Sequence, residues 1–367
     1  MFINVASIDY MMAAEQEYHV ESEFNKKYSL VARRILGLLS NNSRMSISEI
    51  AKQLGVSRIT VVKKIKSLQD EFDMHYTLEL NEEALGLNNP HLILVKFKTK
   101  PDWIRIKEIL EKWYIPQMAF RLKGSFDMLI YANAFSKSDY SYWDRSMRIL
   151  LSEYGVEWFP SEIVHRQLGY YPIRTVVLDG VKISKKDREI LKLLNENARM
   201  SQQELSDRLG IKFGTISYAL KKLLKKSLIK RLTISIDHVK PLSFMVTLSR
   251  FTPKKGFSNI GAKSRLAYMD DDNDPLISRY ILGSALIGSY DWFAIGVFDD
   301  FKTAYKYDVL YHKKVFESHD INLKYGEIEE VLLGKLPIRS IDVKTFSIPA
   351  WTLDRDRINK YYLPKID

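Results

Sequence analysis

Two stretches of this 367-residue chain are copies of one another: RMSISEIAKQLG, which begins at Arg44, and RMSQQELSDRLG, which begins at Arg199. Ser46 and Ser201, Glu49 and Glu204, Gly55 and Gly210, and Leu68 and Leu223 all keep the same spacing of 155 residues. An interval that long exceeds the roughly 20–50 residues of solenoid repeats, so it marks a duplicated pair of domains. Whatever the first copy folds into, the second is expected to build again.

Local chemistry says what that is. Ser46 and Glu49 have the S-x-x-E spacing of a capping box, which predicts a helix starting just after Ser46. Ile50 and Leu54 lie on one face of it. Gly55 can end the helix in the left-handed conformation that other residues resist. Ser57 can cap a second helix, whose Val61, Ile65 and Leu68 recur at helical spacing. Arg58, Thr60, Lys63, Lys64 and Lys66 then fall mostly on the outer face. Two short helices joined by a tight turn, the second basic outside, predict a helix-turn-helix. In the second copy Lys212 stands where Ser57 would cap, and Gly214 near the helix start costs about 1 kcal/mol of helix propensity relative to alanine.

Each copy is followed by a different pattern. After the exit strand Met74–Leu80, short apolar runs alternate with two helical stretches, 101–114 and 137–153, in the order β-α-β-β-α-β. That is the ferredoxin-like arrangement, with both helices on one face of an antiparallel sheet. The same order returns after residue 243, with helices expected over 258–268 and 301–318. The turn Gly124-Ser125-Phe126-Asp127 reappears as Gly288-Ser289-Tyr290-Asp291, now offset by 164, so about nine residues were inserted, and the acidic loop 270–274 is the expected place. The fold class is therefore α+β: two winged helix-turn-helix domains alternating with two ferredoxin-like βαββαβ domains. The expected boundaries are an arm at 1–25, the first helix-turn-helix at 26–80, the first ferredoxin-like domain at 81–180, the second pair at 181–237 and 238–345, and a tail at 346–367.

Charge follows these boundaries. The chain carries a net +11, of which the two helix-turn-helix segments hold +6 (26–74) and +8 (182–230), leaving −3 for the remainder. Positive charge confined to two such segments is the footprint expected where phosphates are met. The chain has no cysteine, which excludes disulfides, thiolate metal sites and cysteine nucleophiles. No metal-ligand spacing, phosphate-binding glycine loop or nucleophile elbow appears, so no cofactor and no metal are expected. No apolar run approaches the ~18 residues that span a bilayer, and the first 26 residues have no basic n-region; a soluble cytoplasmic protein is expected.

Helix-turn-helix followed by βαββαβ, with Gly-x-x-Asp between the middle strands and Leu85-Gly86-Leu87 after the exit strand, resembles the Lrp/AsnC family of transcription regulators. The resemblance runs through nearly the whole chain twice, whereas family members usually carry one unit. It implies double-stranded DNA as partner, pairing through the ferredoxin-like sheets, and a small-molecule effector near the turns of Gly124, Asp127, Gly288 and Asp291. Those four residues have a simpler reading as tight hairpins, with glycine supplying positive φ and aspartate bonding backbone.

In the first reader Arg58, Thr60 and Lys63 are expected at base edges, and Lys64, Lys66 and Arg44 at phosphates. In the second, Thr215, Ser217, Tyr218 and Lys221 face outward, and Lys222, Lys225 and Arg199 suit phosphates. Arg44 and Arg199 have the alternative of pairing with a local carboxylate. The two copies can pair inside one chain as a pseudo-dimer, or each with a second chain as a homodimer. The resemblance extends to sirohaem decarboxylases, which reuse this domain pair; against that enzymatic alternative stand the two basic segments, and the chain is expected not to be an enzyme.

Overall fold

The computed structural model describes residues 30–236, 243–254, 280–298, 301–302, 304–305 and 319–337. The expected helix at 258–268, most of that at 301–318, the acidic loop, the N-terminal arm and the tail lie outside the described residues.

The first helix-turn-helix comprises α1 (Leu30–Asn41), α2 (Ile47–Leu54) and α3 (Arg58–Phe72), followed by exit strand β1 (Met74–Leu80). The capping box forms as the spacing predicts. Ser46 Oγ accepts from the Glu49 N–H at 3.2 Å, and the Glu49 carboxylate accepts from the Ser46 N–H at 2.8 Å. These bonds hold the Glu49 carboxyl below its usual range. Gly55 closes α2 at φ 65°. The second unit repeats this with α6 (Lys185–Glu196), α7 (Gln202–Leu209), α8 (Phe213–Lys225) and β6 (Ile229–Ile236). Its Ser201–Glu204 capping box is also complete, but Lys212 gives α8 no side-chain cap.

The exit strands do not serve their own domains alone. β1 and β6 pair antiparallel, Thr77 opposite Thr233, with the short β11 (Leu336–Pro337) beside β6. Leu78 and Leu80 of β1 enter the core of the second helix-turn-helix with Ile190, Leu194, Ile216 and Leu223. Ile234 and Ile236 of β6 enter that of the first with Ile35, Leu39, Ile50 and Val61. Polar contacts cross in the same reciprocal way. Thr77 donates to the carbonyl of Asn195 at 3.0 Å, and Thr233 to that of Ser40 at 2.7 Å. Each domain is thus completed by the other copy.

The ferredoxin-like units contribute β2 (Asn89–Phe97), α4 (Trp103–Glu111), β3 (Pro116–Gly124), β4 (Met128–Ala134), α5 (Lys137–Leu150) and β5 (Val156–Leu168), then β7 (Ser243–Pro253), β8 (Tyr280–Gly288), β9 (Trp292–Phe298) and β10 (His319–Leu333). Their eight strands close into one barrel in the order β10-β3-β4-β2-β5-β8-β9-β7. Pairing of β5 with β8 and of β10 with β3 joins the two sheets at both edges. Of the two arrangements left open by the sequence, the chain adopts the intrachain pseudo-dimer.

Period-2 alternation along the strands separates two cores. Leu92, Leu94, Phe120, Leu129, Phe244, Leu248, Phe293 and Ile295 share the core that includes the barrel interior. Ile93, Val95, Ala119 and Ile130 pack outward on Ile106, Leu110, Trp143 and Met147 of α4 and α5. A buried polar cluster ties the first helix-turn-helix to this barrel. Glu82, just past β1, accepts hydrogen bonds from Tyr131 and Asn133 and pairs with Arg166.

Candidate nucleic-acid interface

The candidate recognition helices are α3 and α8, the third helix of each helix-turn-helix unit. Ser57 caps α3, accepting from the Thr60 N–H at 3.1 Å. Such a cap contributes about 1 kcal/mol and fixes where the helix begins. Val61, Ile65 and Leu68 are buried, which turns the opposite face outward. On that face Arg58, Lys63 and Lys66 are exposed, while Thr60 and Lys64 are half-buried. The Thr60 hydroxyl lies 2.9 Å from Ser57 Oγ, so it also supports the cap. In α8 the buried stripe is Ile216, Ala219, Leu220 and Leu223; Tyr218, Lys221 and Lys225 are exposed, and Thr215 and Ser217 half-buried.

Three of the residues expected at phosphates have other work. Arg44 donates through Nε to the Ala198 carbonyl and through a terminal nitrogen to the Met200 carbonyl, both at 2.7 Å. Arg199 returns the same pair of bonds, to Ser43 and, at 3.0 Å, to Met45, and its guanidinium lies 4.2 Å from the Tyr76 ring centre. Neither arginine chooses the local carboxylate. The carbonyls of each interhelix turn face the other copy, and the planar fork of arginine fits two of them at once. Partial burial lowers the Arg44 pKa from its ordinary value.

Lys222 also has an internal partner: its ammonium pairs with the buried Asp187 at the start of α6. Burial pushes the Asp187 carboxyl up. Hydrogen bonds from Lys222 and Ser184, with the lysine's charge, outweigh that and hold it below its ordinary value. Arg44, Met45, Ser46, Ile47, Arg199, Met200 and Ser201 line an open cleft of about 390 Å³ where the two domains meet.

Residues that sequence reasoning passed over include two apolar side chains in the middle of the basic face. Ile59 and Val62 of α3 are 68% and 51% exposed. The signal was present, since both fall outside the i, i+4, i+7 stripe of Val61, Ile65 and Leu68; apolar residues are simply not looked for on a surface.

The Gly-x-x-Asp turns are built into the barrel seams. Asp127 Oδ2 accepts from the Phe97 N–H at 2.7 Å, and Asp291 Oδ2 from the Phe251 N–H at 2.7 Å. The expected bond to local backbone goes instead to a neighbouring strand. Gly124 at φ 147° meets Tyr325 and Gly326, and Gly288 at φ 143° meets Pro160 and Ser161, so each turn abuts the other copy's strand.

A winged helix-turn-helix DNA-binding model matches residues 183–230, and an HTH domain model matches 31–81. An uncharacterised HTH-type transcriptional regulator of Pyrococcus furiosus is 34% identical over 127 residues, which are 34% of this chain and 82% of the relative. That relative is therefore about 155 residues long, the length of one repeat. The HTH-type transcriptional regulator LrpA of Pyrococcus horikoshii is 33% identical over 79 residues, 21% of this chain and 53% of LrpA. Among solved structures, the sirohaem decarboxylase NirDL aligns over 90% of this chain and 99% of its own at 11% identity, with a TM-score of 0.49.

Fold and matches together define a helix-turn-helix regulator type that carries its DNA-binding domain twice. The chain belongs to the Lrp/AsnC family of transcription regulators. Among the described residues no helix is long and apolar enough to cross a membrane.

Proposed function

We propose that this protein regulates transcription by binding double-stranded DNA sequence-specifically, with α3 and α8 in the major groove, and that it acts by binding rather than by catalysis. The observation that carries the reading is the outer face of α3. It is capped at Ser57, backed by a buried stripe and presents Arg58, Lys63 and Lys66 to solvent. Arginine suits a bidentate contact with guanine, and the lysines suit bases or phosphates.

In a duplex-shift titration the affinity is expected to fall steeply between about 50 and 200 mM salt, because phosphate contacts release counterions. The double variant K63E/K64E is expected to weaken binding at least tenfold and to flatten the salt dependence. Unchanged affinity would mean that α3 does not read DNA. An absorbance titration with an iron tetrapyrrole is expected to be flat; a saturable spectral shift would favour the enzymatic alternative.

A further inference from the structure

The two recognition helices match residue for residue at the 155-residue offset, and they differ in an ordered way. Inside, Val61 corresponds to Ile216, Ile65 to Leu220 and Leu68 to Leu223, all apolar and all buried. Outside, Arg58 becomes Phe213, Ile59 becomes Gly214, Val62 becomes Ser217 and Lys63 becomes Tyr218. Phe213 and Tyr218 are 50% and 70% exposed, so the substituted groups stand on the surface. The buried stripe has been kept and the serine cap lost, and on the outer face Thr60 and Lys66 recur as Thr215 and Lys221 while these four positions have diverged.

We infer that one copy of this chain reads a DNA site made of two unlike half-sites, guanine-bearing under α3 and thymine-bearing under α8. The inference rests on the DNA-binding reading above. Arg58 and Lys63 are donor-only cations, which match the paired O6 and N7 acceptors of guanine. Phe213 and Tyr218 remove both charges and put ring surface in their place, which matches the thymine methyl group. The two readers cannot be exchanged for identical ones, because each belongs to a fixed half of one barrel. The β1–β6 pairing and the reciprocal Arg44 and Arg199 bonds hold them as one unit.

The test is selection of duplexes from a randomised pool by the full chain, followed by titration. The expected consensus is not its own reverse complement, its halves lie about one helical turn or a multiple apart, and one chain is bound per site. Replacing the second half-site with an inverted copy of the first is expected to weaken binding about tenfold or more, since each mismatched base pair costs roughly that. The variant F213R/G214I/S217V/Y218K, confined to exposed or half-exposed positions, is expected to recover affinity for that inverted repeat. A palindromic consensus, or affinity indifferent to the replacement, overturns the inference and leaves the DNA-binding reading intact. No salt-dependent retention of any duplex removes that reading, and this one with it.

Discussion

Arg199 shows what a single side chain does at the junction of the two copies. Its two bonds to the Ser43 and Met45 carbonyls, and its place over Tyr76, make it a fastener. R199A is expected to lower stability by about 2 kcal/mol, since charged hydrogen bonds are worth roughly 1.5–3 kcal/mol. It is also expected to leave the salt slope of DNA binding unchanged, where loss of a phosphate contact would reduce the slope by about one. Thermal melts and salt titrations of the same variant separate the two roles.

Asp187 has a pH signature. Its folded pKa lies below the ordinary 3.8, so its contribution to stability is complete at neutral pH, persists down to about that value, and is lost as acid carries the pH through the depressed pKa. D187N is expected to lower stability at pH 7 and to make little difference well below pH 3.8, by denaturant titration at both pH values. Capping boxes were legible in the sequence because their partners are three residues apart. The partners of Arg44, Arg199 and Lys222 lie 35 to 156 residues away, and no spacing rule reaches them.

At the scale of elements, glycines of two kinds make separable demands. Gly55 needs only its left-handed conformation, for a Cβ there would meet nothing within 4 Å. A Cβ on Gly124 would lie 2.6 Å from the Tyr325 carbonyl oxygen, across the β3–β10 seam. G55A is accordingly expected to cost about 1–2 kcal/mol, and G124A distinctly more, because the seam must open. Equal losses in chemical denaturation would show that the seam is looser than its geometry implies.

The order β-α-β-β-α-β was readable from apolar runs and turn residues, and β1 spans Met74–Leu80 as the sequence places it. Which strand lies beside which across the copies was not readable. The β5–β8 and β10–β3 pairings are matters of register between distant segments, and alternation along a strand is silent about its neighbour. The turn Asp127 was visible, but its bond to the Phe97 N–H depends on that same long-range pairing.

For the whole molecule, the partition of charge into the two helix-turn-helix segments was visible in the sequence alone, because charges counted along the chain add up without reference to fold. The choice between a homodimer and a pseudo-dimer was not, since both satisfy the same strand pattern. Among the described residues the closed barrel uses both edges of both sheets internally, which leaves neither edge to recruit a second chain. Light scattering is expected to give 42.9 kDa, the mass of one chain; twice that would mean another surface pairs.

A regulator assembled from two separate subunits must find its partner before it can grip two grooves, so on dilution its occupancy falls off faster than its concentration. Here the partner is tethered by the polypeptide itself, at an effective concentration that dilution cannot lower. Occupancy of a site should then rise as a simple hyperbola in the amount of protein, down to the fewest copies a cell keeps.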